Sequence, residues 1–302
     1  MTTRRDFLKQ SAFATGALLF PSFSKHLFRD AEKKYEPGLQ LYTVRDAMAK
    51  DPKGTLSRVA NIGYKLVEGA TYTGTERYYG MKPEAFLKVL NGYGLKLPSS
   101  HYMLGAIERN GSYPKGTILH DWDRAVDDAA KIGQKYMVCA YLDQRVRKNL
   151  DDYKKLCDIF NKAGETCKKA GIQFCYHNHN FEFKKMDGQV PYEYLLKNTD
   201  KDLVKMEMDI YWVYKGNADP LKLFKEHPGR FVLWHVKDMD NTPKHFFTEV
   251  GNGIIDFKKI FKHADEAGLQ HFFVEQDVCP GSPFTSIKES IHYLEHNIPS
   301  VA

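Results

Sequence analysis

The sequence predicts a single α/β domain folded as a closed parallel (βα)8 barrel. Three observations carry that prediction: eight short apolar, β-prone runs, amphipathic segments between them, and a glycine ahead of most of the runs. The chain has 302 residues, and such barrels commonly use about 250 as one domain.

The runs are LQLYTV (39–44), YKLVEGA (64–70), LKLPSSHY (95–102), YMVCAYL (136–142), IQFCYHNH (172–179), VKMEMDIY (204–211), FVLWHVKD (231–238) and HFFVEQD (271–277). The intervening segments, such as Asp151 to Lys169 and Asp256 to Ala267, place apolar residues at three- and four-residue steps, the helical period. Gly63, Gly94, Gly133, Gly171, Gly229 and Gly268 each close such a segment just before the next run. Glycine is expected there because it enters the left-handed region without a Cβ penalty. An open doubly wound sheet would normally use fewer units, and no GxGxxG follows the first run. The barrel is therefore expected over 36–298.

Residues 1–30 are expected to stand apart from it. Thr3-Arg4-Arg5-Asp6-Phe7-Leu8-Lys9 resembles the twin-arginine export signal, and an apolar stretch from Ala12 to Phe20 follows. That stretch is shorter than the ~20 residues a bilayer span needs, so export to the periplasm is expected and stable membrane insertion is not. The segment holds five basic and two acidic residues, which supply +3 of the net charge of +6. The remainder is close to neutral, with no basic stripe, so nucleic acid is not an expected partner. Cys139, Cys157, Cys167, Cys175 and Cys279 show no CxxC spacing and are read as free thiols. An oligomer is compatible with this composition.

In a (βα)8 barrel the active site forms at the C-terminal ends of the strands. The first halves of the runs are ordinary core (Leu66, Val138, Phe174, Leu233, Phe273), and their second halves turn polar. Glu68, His101, His177-Asn178-His179, Asp209, His235 with Lys237, and Glu275 with Asp277 all fall there. Alternation puts His177 with His179 on one face, and likewise His235 with Lys237 and Glu275 with Asp277. One such residue is usually a satisfied structural group. Four consecutive strands delivering His, Asp or Glu to one rim are different, because unpaired ionisable groups are costly to bury. One divalent metal ion is the simplest common partner, and a His/carboxylate set suits Mn, Zn or Co better than Mg or Ca.

The strings QLYTV, GYKLVEGA, FCYHNHNFEF, MDIYWV, LWHVKD, EVGNGIIDF and FFVEQD, in that order on the predicted strands, resemble the sugar phosphate isomerase/epimerase family, a xylose isomerase-like TIM barrel. The likeness spans 38–295. It implies a metal bound by His177, Asp209, His235 and Glu275, one from each of strands 5 to 8. It also implies a carbohydrate substrate facing Glu68, His101, His179, Trp212 and Lys237, and a closing loop at Gly251-Asn252-Gly253 with Asp256. One position departs from the pattern: the sugar epimerases it resembles usually carry glutamate where His177 stands. A metal-bound histidine is a poor carboxylate base, so a single-base isomerase, lyase or dehydratase fits better than two-glutamate epimerisation.

The expected chemistry is proton abstraction next to a carbonyl through a metal-stabilised enediolate. Glu275 is the expected base, and His179 or Lys237 the proton donor. Trp212, Tyr42 and Tyr141 are candidates to stack on the sugar. No Gly-rich phosphate cradle or arginine cluster at a helix start is visible, and phosphorylated sugars are mainly cytoplasmic, so a non-phosphorylated sugar, glycoside or keto-sugar is expected. Two other classes stay open: endonuclease IV-type hydrolysis, which would want more metal ligands and a basic face, and a non-catalytic exported sugar- or metal-binding barrel.

Overall fold

The computed structural model describes residues 35–108 and 111–301; the twin-arginine segment expected at 1–30 lies outside them. Eight strands form the barrel: β1 (Gly38–Gln40), β2 (Leu66–Gly69), β3 (Lys96–Tyr102), β4 (Tyr136–Cys139), β5 (Gln173–His177), β6 (Val204–Asp209), β7 (Leu233–Val236) and β8 (His271–Val274). Each pairs in parallel with its chain neighbour, and β8 closes on β1 through Gly38↔Phe273 and Leu39↔Val274. A short ribbon, Asp238–Met239 against Phe247–Thr248, follows β7. No helix among the described residues is long and apolar enough to cross a membrane.

Local chemistry sets the helices. Five of the outer helices, at Pro52–Ile62, Pro83–Gly92, Pro191–Asn198, Pro220–Glu226 and Pro283–Asn297, open on a proline. Proline's fixed φ suits the first turn, where its missing N–H has no helical partner anyway. The glycines close helices as expected: Gly133 (φ 85°) ends Trp122–Ile132 and Gly268 (φ 86°) ends Ala264–Ala267.

The interior is layered. At its floor, Leu66, Val138, Cys175, Val232, Leu233 and Phe273 form a closed apolar cluster of their own. Gly38 makes room for it, since a Cβ there would stand 2.4 Å from the Phe273 ring. Two residues further along the same faces the chain delivers Glu68, His177, His235 and Glu275, so the two-residue strand period carries the lumen from apolar to ionisable. All five cysteines are free, four of them buried.

The strands stop sooner than the apolar runs predict. The run at 39–44 is strand only to Gln40, whose side chain accepts the Tyr42 N–H (3.1 Å) and turns Leu41–Val44 into a 3-10 helix. The run at 204–211 is strand only to Asp209, whose carboxylate accepts the Trp212 N–H (2.9 Å) and starts the helix Ile210–Lys215. Leu41 and Ile210 are nevertheless fully buried. Hydrophobicity continues past the strand ends because the first loop residues still pack inside.

Candidate metal and substrate site

At the C-terminal rim two tiers of ionisable side chains meet. The lower tier is Glu68 on β2, His101 on β3 and Glu207 on β6, beneath His177 and His235. Glu68 is wholly buried: Gln40 Nε2 donates to one of its oxygens (2.8 Å), Ser99 Oγ donates to the other, and His235 Nε2 lies 2.6 Å away. Glu207 Oε2 lies 2.7 Å from His101 Nε2, 2.9 Å from His177 Nδ1 and 3.3 Å from His235 Nε2. Each imidazole of the metal-binding expectation thus rests one nitrogen on a buried carboxylate.

The opposite nitrogens face the upper tier. His177 Nε2 is 3.7 Å from Asp209 Oδ2, and His235 Nδ1 is 3.9 Å from that oxygen and 2.8 Å from Glu275 Oε2. Asp209 is held from both sides. Asn178, the middle residue of His177-Asn178-His179, takes the Asp209 N–H (3.1 Å) and donates to the Asp209 carbonyl (3.2 Å). Lys237 is buried with its ammonium 2.9 Å from Asp209 Oδ2, 2.7 Å from Glu275 Oε2 and 2.7 Å from Asp277 Oδ2.

Crowding sorts these groups by charge. Burial alone would raise Glu68, but the His101 and His235 charges outweigh it and pull it down to about 2. Burial and neighbouring Glu68 push Glu207 up to about 7. Burial likewise raises Asp209. For Glu275 the Lys237 and His235 charges overcome burial and hold the carboxyl well below its usual range. Burial and the positive neighbours led by His235 hold His177 neutral, far below an ordinary imidazole. Burial and Lys237 take His179 down to about 3.

Over this tier lies a cavity of about 320 Å3, lined among others by Tyr42, His101, Tyr141, His177, His179, Lys237, Glu275 and Asp277. Tyr42 and Tyr141 are 40% and 47% exposed and flank its mouth. His179 is fixed by aromatic contacts: Phe181 stacks on it at 5.4 Å, Tyr141 meets it edge-on at 5.1 Å and Trp212 lies at 5.5 Å. Behind it Glu182, fully buried, accepts the His179 N–H (3.0 Å) and the Tyr176 hydroxyl.

The structure therefore gathers His101, His177, His179, Asp209, His235, Lys237 and Glu275 at one rim. Two of the expected substrate contacts stand elsewhere. Glu68 lies under His235 with its oxygens already engaged and does not line the cavity. Trp212 borders His179 from the side and is not part of the lining either. The Gly251-Asn252-Gly253 turn is wrapped around the buried Asp238 carboxylate, which accepts the N–H groups of Gly251 (2.9 Å), Gly253 (3.1 Å) and Ile255 (3.2 Å). Asp256 caps the helix Phe257–Phe261 through the Lys259 N–H (2.9 Å) and does not reach the site. Glu207 is the residue that reading the sequence missed. Its signal was present, since VKMEMD alternates and puts Glu207 on the same face as Asp209.

The donor chemistry fits a cation. His101, His177, Glu207 and His235 form one buried group with converging donor atoms, and Asp209, His235 and Glu275 another. Asp209 Oδ2 is buried and meets the Lys237 ammonium at 2.9 Å, so a positive group already stands beside the oxygen that a metal ion would share. Asp209, His235 and Glu275 are one set that could hold a cation, and His177 stands beside it with Nε2 3.7 Å from Asp209 Oδ2.

Comparison with known proteins agrees with the barrel fold. The profile of the xylose isomerase-like TIM barrel family matches residues 56–296. A solved sugar phosphate isomerase/epimerase from Parabacteroides distasonis is 30% identical, with a TM-score of 0.74 over 93% of this chain and 100% of that one. The inosose dehydratase of Geobacillus kaustophilus is 23% identical over 80% of this chain and 85% of its own length. Other inosose dehydratases, such as that of Lacticaseibacillus casei, align over only 57% of theirs. A solved IOLI protein with a bound zinc atom shares the fold (TM-score 0.67) at 14% identity.

Proposed function

Because the chain belongs to the xylose isomerase-like TIM barrel family, we propose that it is a metal-dependent enzyme that removes a proton next to a carbonyl of a non-phosphorylated sugar or keto-sugar. One observation carries this reading: Asp209, His235 and Glu275 bring converging donor atoms to the rim below a cavity of about 320 Å3, with His177 Nε2 3.7 Å from Asp209 Oδ2. A divalent cation held by those four residues, of the Mn, Zn or Co kind, would draw electron density from the substrate oxygens and stabilise the enediolate.

The chain's own groups do the rest. Glu275 lines the cavity and takes the proton as base. Lys237, which lines the same cavity and is held protonated by three carboxylates, returns a proton to carbon in an isomerisation or to the departing oxygen in an elimination. His179, held neutral by burial and Lys237, has no imidazolium proton to give. Tyr42 and Tyr141 offer faces for a sugar ring. The charge of Lys237 is taken up by three carboxylates, and among the described residues no arginine lines the cavity, which favours a non-phosphorylated substrate. With histidine at 177 the upper tier has one carboxylate placed as base, which favours a lyase, dehydratase or isomerase over symmetric epimerisation. The inosose dehydratase relatives support the elimination branch. We propose further that residues 1–30 direct export by the twin-arginine route; changing Arg4 and Arg5 to lysine should then keep the protein in the cytoplasm.

The test is hydrogen exchange. Incubation with keto-sugars in D2O should place deuterium next to the carbonyl, lose this on chelation and regain it with Mn or Co. Metal binding without exchange on any keto-sugar or aldose would leave a non-catalytic binding barrel.

A further inference from the structure

Resting on the metal reading above, we infer that Glu207 is a positioning residue that presents His177 Nε2 to the cation, and that histidine at 177 and glutamate at 207 operate as a pair. The two residues are direct register partners across β5 and β6. Glu207 is fully buried, and its Oε2 lies 2.9 Å from His177 Nδ1.

In its ionised form Glu207 can only accept, which puts the His177 proton on Nδ1 and leaves the lone pair on Nε2. That nitrogen is the one turned to Asp209 Oδ2. The opposite tautomer would aim the Nδ1 lone pair at Glu207 and present an N–H, useless to a metal, to Asp209. His235 differs: it lies between two carboxylates, with Glu68 2.6 Å from Nε2 and Glu275 2.8 Å from Nδ1, so both of its nitrogens donate in this structure. Carboxylates behind ligating histidines fix ring orientation and raise ligand basicity.

The pairing follows from the same register. A glutamate at 177 would set a second carboxylate against Glu207, and the two could stand together only by keeping a proton between them. Histidine at 177 needs Glu207, and Glu207 tolerates only a donor at 177.

Two measurements test this. In the metal-free protein, 15N NMR of the imidazoles should show His177 as the Nδ1–H tautomer; the Nε2–H tautomer overturns the inference, whatever the variants do. Titration with Co2+, followed by its visible spectrum, should show Glu207→Leu binding 10–100-fold more weakly with an altered spectrum. Glu207→Gln, which still offers an acceptor, should fall between that variant and wild type. His177→Glu alone should bind worse than wild type, and the double variant His177→Glu/Glu207→Leu better than either single change. Wild-type affinity and spectrum in Glu207→Leu, or additive losses in the double variant, refute the pairing. Failure of the wild type to bind Co2+, Mn2+ or Zn2+ refutes the metal reading instead, and the tautomer still decides the role of Glu207.

Discussion

The floor and the rim of the barrel lumen are made by the same strands two residues apart, and they obey different rules. At the floor, Leu66, Val138, Cys175, Leu233 and Phe273 need only fill space, so any set of similar volume would serve. At the rim, Glu68, His177, Glu207, Asp209, His235, Lys237 and Glu275 are tolerable only as a set, because removing one leaves its partners buried and unpaired. Within the lumen, apolar packing makes up the first layer and ionisable chemistry the second, two residues apart along each strand.

The largest effect should come from Glu275→Gln, assayed with excess metal to offset weaker binding. Turnover should fall by a factor on the order of 10²–10⁴, the contribution of a positioned base, and the melting temperature should fall too, because buried Lys237 and His235 lose a counter-charge. Equal deuterium exchange by variant and wild type would move the base to His179 or Lys237. The converse experiment is Phe273→Ala in the floor. Denaturant titration should show a loss of about 3–5 kcal/mol, while metal affinity at the rim stays within a few-fold. A collapse of metal binding in a folded Phe273→Ala protein would show that the two layers are not separable.

Glu182 sharpens the boundary from behind. Burial raises its carboxyl to about 8, so the folded state holds a proton that the unfolded chain has already released. Where the folded form binds more protons, stability falls as pH rises. The window runs from about 4.5, the ordinary value, to about 8. Across it Glu182→Gln should gain on wild type by at most about 1.4 kcal/mol per pH unit, read as melting temperature against pH. A constant difference would mean that Glu182 is already ionised in the folded protein. The smallest effect belongs to Asp256→Ala, which removes a helix cap outside the site. It should cost about 1 kcal/mol and leave exchange activity alone; a large loss of activity would return the loop after β7 to the catalytic machinery.

Much of this was legible in the sequence. The glycine-punctuated repeat gave the barrel, since left-handed helix ends and strand periodicity are local properties. The polar strand ends gave the rim for the same reason. The missing parts are non-local. Glu207 sits mid-run in VKMEMD, and only its neighbours at 101, 177 and 235 show it to be an acceptor for three imidazoles. Glu68 sits at a strand end like the others, yet Gln40, Ser99 and His235 close over it. The strand ends at Gln40 and Asp209 were hidden because each terminating side chain is itself polar within an apolar run.

The bond between Glu68 and His235 joins positions 167 residues apart in the chain. Contacts of that span form late, once loop-closure entropy has been overcome by the pairing of intervening strands. Until β2 and β7 face each other across a closed lumen, His235 Nε2 has no acceptor and its ring is free to turn. The site is thus complete only when strands far apart in the chain have come together, so it depends on closure of the whole barrel and not on any one hairpin or helix.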